Sequence, residues 1–177
     1  MNTSEKYTLK DVPAGRSRSK AHIESIRIEH RPDDNPDLSW LGYYTDNPKS
    51  DEMSKAIDRQ ARGDVGSCEY RYFVPAMAGD ETGNPESPEQ DYRRCEDYNR
   101  GDWYMLGVIA KAEILSPGGV IQTVRSGGLW GIESDAGDYF DEVEAEQLAE
   151  LRTELESLGF GERAIDRAFQ DVQRPDR

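Results

Sequence analysis

The chain has 177 residues, of which 35% are hydrophobic and 33% charged, and its formal net charge is −14. This length suits one domain with one hydrophobic core, and 9 tyrosines, 3 tryptophans and 4 phenylalanines argue against wholesale disorder. A negative field of this strength opposes direct binding to nucleic-acid phosphates or anionic lipid. It is typical of a protein that binds a basic partner, or of one adapted only to solubility or a salt-rich environment.

The charge is distributed unevenly along the chain. Residues 131–177 carry 14 acids and 5 bases, a net charge of −9, whereas residues 1–20 carry 5 bases and 2 acids. Residues 1–19 show no periodicity and are rich in polar residues, which predicts a flexible tail. The tail lacks the apolar run of a signal peptide, and no stretch of about 18 apolar residues occurs elsewhere. We therefore expect a cytoplasmic protein that is not bound to a membrane.

The first half of the chain is predicted to alternate short strands with helices, since period-2 hydrophobic patterns are interrupted by helical ones. Strands are predicted over residues 22–30, 39–45 and 67–74, and helices over residues 51–62 and 88–99. Ser50 and Gly63 are the predicted N-cap and stop of the first helix. A capping box that starts at Ser87 opens the second helix, after a Pro- and Gly-rich loop over residues 75–87.

The second half contains the most apolar segment, residues 103–115, which is hydrophobic on both faces and therefore predicts a central strand. A turn with Gly118 at positive φ follows it. The remaining predicted elements are strands over residues 120–126 and 129–134 and helices over residues 139–158 and 162–173. Gly159 and Phe160 have the form of a Schellman stop between these two helices.

Together these elements predict a single α+β domain over residues 20–174. We expect an antiparallel sheet of four to six strands packed with about four helices. The last two helices are joined by so short a link that they must form a C-terminal helix pair.

The stretch RSGGLWGIESDAGDYFDEVEAEQLAEL, residues 125–151, is the best candidate for a ligand loop. Its glycine-rich run lacks the lysine and the serine or threonine of a phosphate-binding loop. Its acids do not keep the EF-hand order, although Glu133, Asp135 and Asp138 are the oxygen ligands that a non-standard calcium or magnesium site would use. The simpler interpretation is that Asp138 caps the following helix. Gly131 lies inside a predicted strand, which indicates a bulge or a close approach to the backbone.

No residue pattern typical of catalysis occurs, and we assign no catalytic residue and expect no cofactor. Cys68 and Cys95 form no CxxC motif, and His22 and His30 belong to no metal-binding motif, although their even spacing puts both on one face of a strand. A binding protein is therefore favoured over an enzyme. The enzymatic alternative is a small metal- or nucleotide-dependent enzyme with a site near Trp130–Asp138.

Aromatic and acidic side chains are the candidates for binding a partner. Trp40, Tyr44 and Trp130 lie in or beside predicted strands, where they either fill the layer between sheet and helices or form an interfacial aromatic patch near Gly131. The helix over residues 139–158 is predicted to present an acidic surface to a basic partner. This surface consists of Glu144, Glu146, Glu150 and Glu154.

The segment LESLGFGERAIDRAFQDV, residues 155–172, resembles the core of a ubiquitin-associated domain. The matching residues are the loop Leu158-Gly159-Phe160 and the pair Ala168-Phe169. The third helix of that domain is not evident and the preceding helix is longer than the domain uses. We therefore interpret the likeness as the coincidence of a helix that stops at glycine.

A broader resemblance covers most of residues 26–160 and includes IRIEHRPDDNPDLSWLGYYTD, NRGDWYMLGVIAKAEI, SGGLWGIESD and LAELRTELESLGF. These runs are similar to a group of small hypothetical proteins encoded by phages and other mobile elements. The resemblance implies no activity, fold or catalytic residue, but it favours an accessory protein that binds host or phage machinery in the host cytoplasm.

The leading hypothesis is a non-enzymatic protein that binds a basic host or phage protein. Inhibition of a host nucleic-acid-processing or defence complex is one form that this binding takes. A further alternative is a structural or assembly component, and the sequence does not distinguish this role from that of a binding protein.

Overall fold

The most apolar segment of the chain forms the centre of the main sheet, as its two hydrophobic faces predict. The computed structural model describes residues 20–64, 66, 68–76 and 87–175. In it β5 (Met105–Leu115) pairs antiparallel with β1 (His22–Pro32) along one edge. The other edge of β5 pairs antiparallel with β6 (Ile121–Arg125) and with β7 (Leu129–Glu133). Strand β7 therefore does not lie beyond β6 but continues along the same edge of β5.

The C-terminal helices cover one face of this sheet and form the predicted helix pair. They are α3 (Tyr139–Ser157) and α4 (Glu162–Ala168), which a 3₁₀ turn at Phe169–Asp171 follows. The first hydrophobic core lies between these helices and the sheet. Its largest fully buried side chains are Ile26, Val108, Val143, Leu151, Leu155 and Ile165.

Helix α3 ends in the predicted Schellman motif. The Phe160 N–H donates to the Leu155 carbonyl at 3.2 Å and the Gly159 N–H donates to the Glu156 carbonyl at 2.9 Å. Gly159 has φ +86°, a conformation that glycine adopts without strain. The motif redirects the chain into α4, which places Ile165 in the core beside Leu155.

A second, smaller sheet has its own hydrophobic core. It consists of β2 (Gly42–Thr45), β4 (Tyr72–Pro75) and β3 (Ile57–Asp58) in the order β2-β4-β3, with all pairs antiparallel. The short α1 (Arg59–Arg62) and the longer α2 (Ser87–Arg100) both contact β4. The second core contains Leu41, Ile57, Phe73, Tyr92, Cys95, Trp103 and Met105. Because Met105 belongs to β5, the central strand contributes to both cores.

The prediction of a helix over residues 51–62 is wrong for most of this range. Residues 51–55 form turns, and Ile57 pairs with Phe73 in the smaller sheet, so only α1 remains helical. Asp58 caps this short helix by accepting a hydrogen bond from the Ala61 N–H at 3.1 Å, the role predicted for Ser50. Gly63 ends it, as predicted.

The strand predicted over residues 67–74 is also wrong at residues 68–71, which form no strand, whereas residues 72–74 belong to β4. The buried Arg59 guanidinium donates to the carbonyls of Cys68 at 3.0 Å and Tyr70 at 2.6 Å. These carbonyls are therefore used by a side chain and not by a neighbouring strand. In the turn after β5, Gly119 and not Gly118 takes the positive φ, at +78°.

A β-bulge in β7 explains Gly131. Leu106 pairs with Ile132 and Val108 with Leu129, so Trp130 and Gly131 together face Gly107. Gly131 has φ +75°, and a Cβ added to it would meet nothing within 4 Å. The close approach occurs at Gly107, where an added Cβ would lie 2.5 Å from the Trp130 ring. The bulge therefore positions the Trp130 ring over the backbone of β5.

The fold is α+β, as predicted, with a four-stranded antiparallel sheet, a second small sheet and four helices in the part of the chain that the structure describes. The tail predicted for residues 1–19, and residues 77–86 of the predicted loop, lie outside the described residues. Within the described ranges, no helix has both the length and the apolar character needed to cross a membrane.

Candidate ligand-binding cavity

A cavity of about 460 Å³ opens where the end of β1 meets the start of α3. Strand β1 contributes His30, the residues before β5 contribute Tyr104, and the link between β7 and α3 contributes the polar groups. The polar and aromatic side chains that line the cavity are those of His30, Tyr104, Ser134, Asp135, Asp138 and Phe140. We refer to it as the His30 cavity.

Two neighbours fix the His30 ring. It pairs in the sheet with Val108, so that it lies on the helix-facing side of β1. Its Nε2 is 3.1 Å from the Glu144 Oε1 atom. Its ring stacks on Phe140 with the ring centroids 4.9 Å apart and the planes at 24°. The imidazole is therefore held in one orientation at the wall of the cavity.

Glu144 is fully buried, with no exposed side-chain area. Its Oε2 atom lies 2.9 Å from Nη1 of Arg174, near the C-terminus, and its Oε1 atom contacts His30. A buried carboxylate without such partners would be strongly destabilising. Because an ionised carboxylate can only accept hydrogen bonds, the proton of this contact belongs to Nε2 of His30.

Arg94 of α2 binds two of the acids near the cavity. Its guanidinium donates to Asp135 at 2.6 and 2.7 Å and to Glu133 at 2.9 Å. It also lies over the Trp103 ring, 3.8 Å from the centroid. The guanidinium lowers the pKa of the Asp135 carboxyl below its usual value. Through Arg94, Glu133 and Asp135 therefore link the main sheet to the smaller unit, which consists of the smaller sheet with α1 and α2.

Asp138 occupies the N-cap position of α3, but its side chain makes no capping hydrogen bond. The predicted role of its carboxylate as a cap is therefore wrong. No hydrogen bond or ion pair to this carboxylate occurs within the described ranges, although the residue lines the cavity. The three acids predicted as metal ligands thus differ in role, and the described residues contain no group of three His, Cys, Asp or Glu placed to hold a metal ion.

The predicted aromatic binding residues lie on different sheets. Trp40 precedes β2 and is 49% exposed, whereas Trp130 belongs to β7 and is 48% exposed. Tyr44 is half-buried in the smaller unit, where its hydroxyl donates to Glu96 at 2.8 Å and accepts from Asn99 at 2.9 Å. Burial, followed by the bond to Glu96, raises the pKa of Tyr44 far above its usual value.

The predicted acidic surface of α3 needs one correction, because Glu144 lies inside the fold. Glu146 and Glu154 are exposed, and the exposed Glu150 accepts a hydrogen bond from the Gly127 N–H at 2.9 Å. Glu142 is exposed as well and shares their four-residue spacing. We call Glu142, Glu146, Glu150 and Glu154 the acidic stripe. Its members follow one another along one side of α3.

Sequence reasoning missed His30 and misplaced Glu144. A signal for Glu144 does exist, since it lies four residues after Phe140 and seven before Leu151, both of which face the core. A charge at a core position of a helix indicates a buried partner. No local signal joins it to His30, because these two residues are 114 positions apart.

Comparison with protein-family models, with curated proteins and with solved structures finds no match to this chain.

Proposed function

We propose that this chain is a non-enzymatic binding protein that contacts a basic protein through the acidic stripe of α3. The observation that carries this proposal is the stripe itself. Four glutamates at four-residue spacing lie exposed along a helix of 19 residues. Like charges at this spacing destabilise a helix slightly, and a partner that carries positive charge removes that cost.

The bases of α3 do not neutralise the stripe. Arg152 is the only base of this helix, and its guanidinium donates to Glu156 at 3.2 Å and to Asp166 of α4 at 2.6 Å. The stripe therefore keeps its full negative charge, which raises the rate of encounter with a positively charged surface.

The resemblance to proteins of phages and other mobile elements supports a more specific form of the proposal. A basic groove that binds nucleic acid also accepts an acidic protein surface. We propose that the partner belongs to a host complex that processes nucleic acid or acts in defence, and that binding inhibits this complex. Inhibition by a charged surface requires no cofactor and no catalytic residue.

The test is capture of partners from a host-cell lysate at about 50 mM salt, where screening of surface charge is weak. The stripe variant carries Glu142→Lys, Glu146→Lys and Glu154→Lys, and it leaves Glu150 bound to Gly127. The control variant carries Asp34→Lys, Asp51→Lys and Glu69→Lys at exposed positions outside α3 and has the same net charge. We expect proteins captured by the wild type and the control to be lost from the stripe variant and at about 0.5 M salt.

Equal capture by the stripe variant and the control would show that net charge, and not the stripe, is responsible. Absence of any captured protein that depends on salt would contradict the proposal as a whole. Circular dichroism of all three proteins confirms that the α3 helix persists in the variants.

A further inference from the structure

We propose that the His30 cavity receives an arginine side chain of the basic partner, so that one guanidinium group anchors the surface that the acidic stripe attracts. The claim that the arginine belongs to the partner rests on the function proposed above. The claim that the cavity binds a guanidinium group rests on the residues of the cavity alone.

The acids of the cavity wall, Asp135 and Asp138, are hydrogen-bond acceptors, whereas the hydroxyls of Tyr104 and Ser134 both accept and donate. The Asp138 carboxylate has no hydrogen-bond or ion-pair partner within the described ranges, whereas Asp135 is paired with Arg94. No lysine or arginine lines the cavity in the described part of the chain. A ligand that fits this wall donates several hydrogen bonds and carries positive charge, which disfavours phosphates and nucleotides.

Aromatic surface in the wall favours guanidinium over ammonium. Tyr104 is 53% exposed and provides this surface, whereas Phe140 is 7% exposed and stacks on His30. A planar guanidinium stacks on such rings and presents five N–H groups in its plane, whereas an ammonium is a compact, strongly hydrated charge. A volume of about 460 Å³ lies within the range of ordinary ligand sites and leaves room for one arginine side chain.

The cavity and the acidic stripe share one helix. Asp138 and Phe140 belong to the start of α3, and the stripe begins at Glu142. A partner that inserts one arginine into the cavity therefore places its neighbouring bases over the stripe. Interfaces commonly derive most of their binding energy from a few such enclosed side chains, among which arginine is enriched.

The first experiment titrates the isotope-labelled protein with N-acetyl-arginine methylamide and follows its backbone amides by NMR. The uncharged isostere N-acetyl-citrulline methylamide and the lysine compound Nα-acetyl-lysine methylamide serve as comparisons. We expect saturable shifts at residues 134–140 and at His30 with the arginine compound, and Kd values at least about fivefold weaker with the other two.

The matched variants are Asp138→Asn, which removes the free carboxylate of the cavity, and Asp34→Asn, which removes an exposed charge outside both the cavity and the acidic stripe. Neither side chain caps a helix or belongs to a core, so both variants should fold. We expect Asp138→Asn to raise the Kd of the arginine compound by about fivefold or more, and Asp34→Asn by less than about twofold.

Equal binding of arginine and citrulline compounds, or shifts confined to the acidic stripe, would overturn the proposal. Stronger binding of the lysine compound, or of magnesium ATP added in its place, would overturn its choice of ligand. Capture of partners is then compared among the wild type, Asp138→Asn, Asp34→Asn and the stripe variant. If the arginine compound binds but Asp138→Asn captures partners like the wild type, the partner is not the source of the side chain. If the stripe variant retains its partners whereas Asp138→Asn loses them, the proposed function fails and the cavity site stands.

Discussion

At the scale of single residues, this acidic chain uses its few bases to satisfy half-buried carboxylates. Glu29 in β1 accepts hydrogen bonds from Lys111 at 2.7 Å, from Arg31 at 3.0 Å and from Arg27 at 3.1 Å. Burial alone would raise the pKa of Glu29, but the bonds from Lys111 and Arg31 outweigh it and lower this pKa from its ordinary value of 4.5. The carboxylate thus stabilises the fold in its ionised form.

We predict that Glu29→Gln lowers the free energy of unfolding by about 2 kcal/mol at pH 7. Since the pKa is lower in the folded state, this stabilisation is complete above pH 4.5 and is lost as the pH falls through the folded-state value. Urea unfolding at several pH values should therefore show the wild type and the variant converging in acid. Asp34→Asn removes an exposed carboxylate that makes no salt bridge in the described part of the chain, and it should leave the urea midpoint at pH 7 unchanged. A constant difference at all pH values would contradict the prediction.

At the scale of secondary-structure elements, the bulge in β7 depends on two glycines for different reasons, Gly131 within the bulge and Gly107 opposite it in β5. Gly131 is needed because its φ is +75°, whereas Gly107 is needed because the Trp130 ring lies against its backbone. The first requirement is conformational and the second is steric. Substitutions at these two positions should therefore respond differently to removal of the ring.

We predict that Gly107→Ala destabilises the protein by about 1–3 kcal/mol, because its methyl group would overlap Trp130. In a Trp130→Ala background the same change should cost less than about 0.5 kcal/mol. Gly131→Ala should cost about 1–2 kcal/mol in both backgrounds, since the strain of a left-handed residue does not depend on the ring. Chemical denaturation of the wild type and the five variants completes both cycles. Equal coupling of both glycines to Trp130 would show that the ring determines the whole bulge.

Element prediction succeeded where the hydrophobic pattern agreed with tertiary packing. The segment that forms β5 is apolar on both faces and the segment that forms α3 keeps a helical stripe, so local and global preferences coincide. Residues 51–62 have a helical pattern too, but Ile57 gains more by pairing with Phe73 in the second core. Residues 68–71 alternate like a strand, yet the Arg59 side chain binds the carbonyls of Cys68 and Tyr70. Such long-range contacts leave no periodic signal in the sequence.

The candidate site was predictable in part for a similar reason. The region Trp130–Asp138 was identified from its acids and glycines, and the structure places Ser134, Asp135 and Asp138 at the His30 cavity. The dyad of His30 and Glu144 was not predicted, because the fold alone brings its two residues together. Six other acids in α3 also obscured Glu144, the one acid of this helix that faces the core.

At the scale of the whole molecule, two hydrophobic cores share one strand. Leu106 of β5 belongs to the core beneath α3 and α4, whereas the preceding Met105 belongs to the core of the smaller sheet. β5 has 11 residues and is paired along both edges in the main sheet, while the strands of the smaller sheet have two or four residues. Cooperativity between the cores therefore depends on β5.

We predict that the amides of residues 106–114 exchange with solvent most slowly, at the rate set by global unfolding. The amides of β2, β3 and β4 should exchange faster, because short strands open without unfolding the main sheet. Hydrogen exchange followed by mass spectrometry tests this, and the free energy of unfolding in urea provides the global reference. Uniform protection of both sheets would show that the two cores open only together.

The C-terminal segment has a consequence for self-association. β1 is an edge strand, and the free amides of such a strand can template pairing with another chain. Here Gln173 occupies the middle of that edge, accepting from the Ile28 N–H at 2.8 Å and donating to the Ile26 carbonyl at 3.0 Å. Arg174, the next residue, is anchored to the buried Glu144. The Glu144 carboxylate that orients His30 therefore also holds the segment at Gln173 and Arg174 against the edge of β1, so that the buried ion pair helps to protect this edge from pairing with another chain.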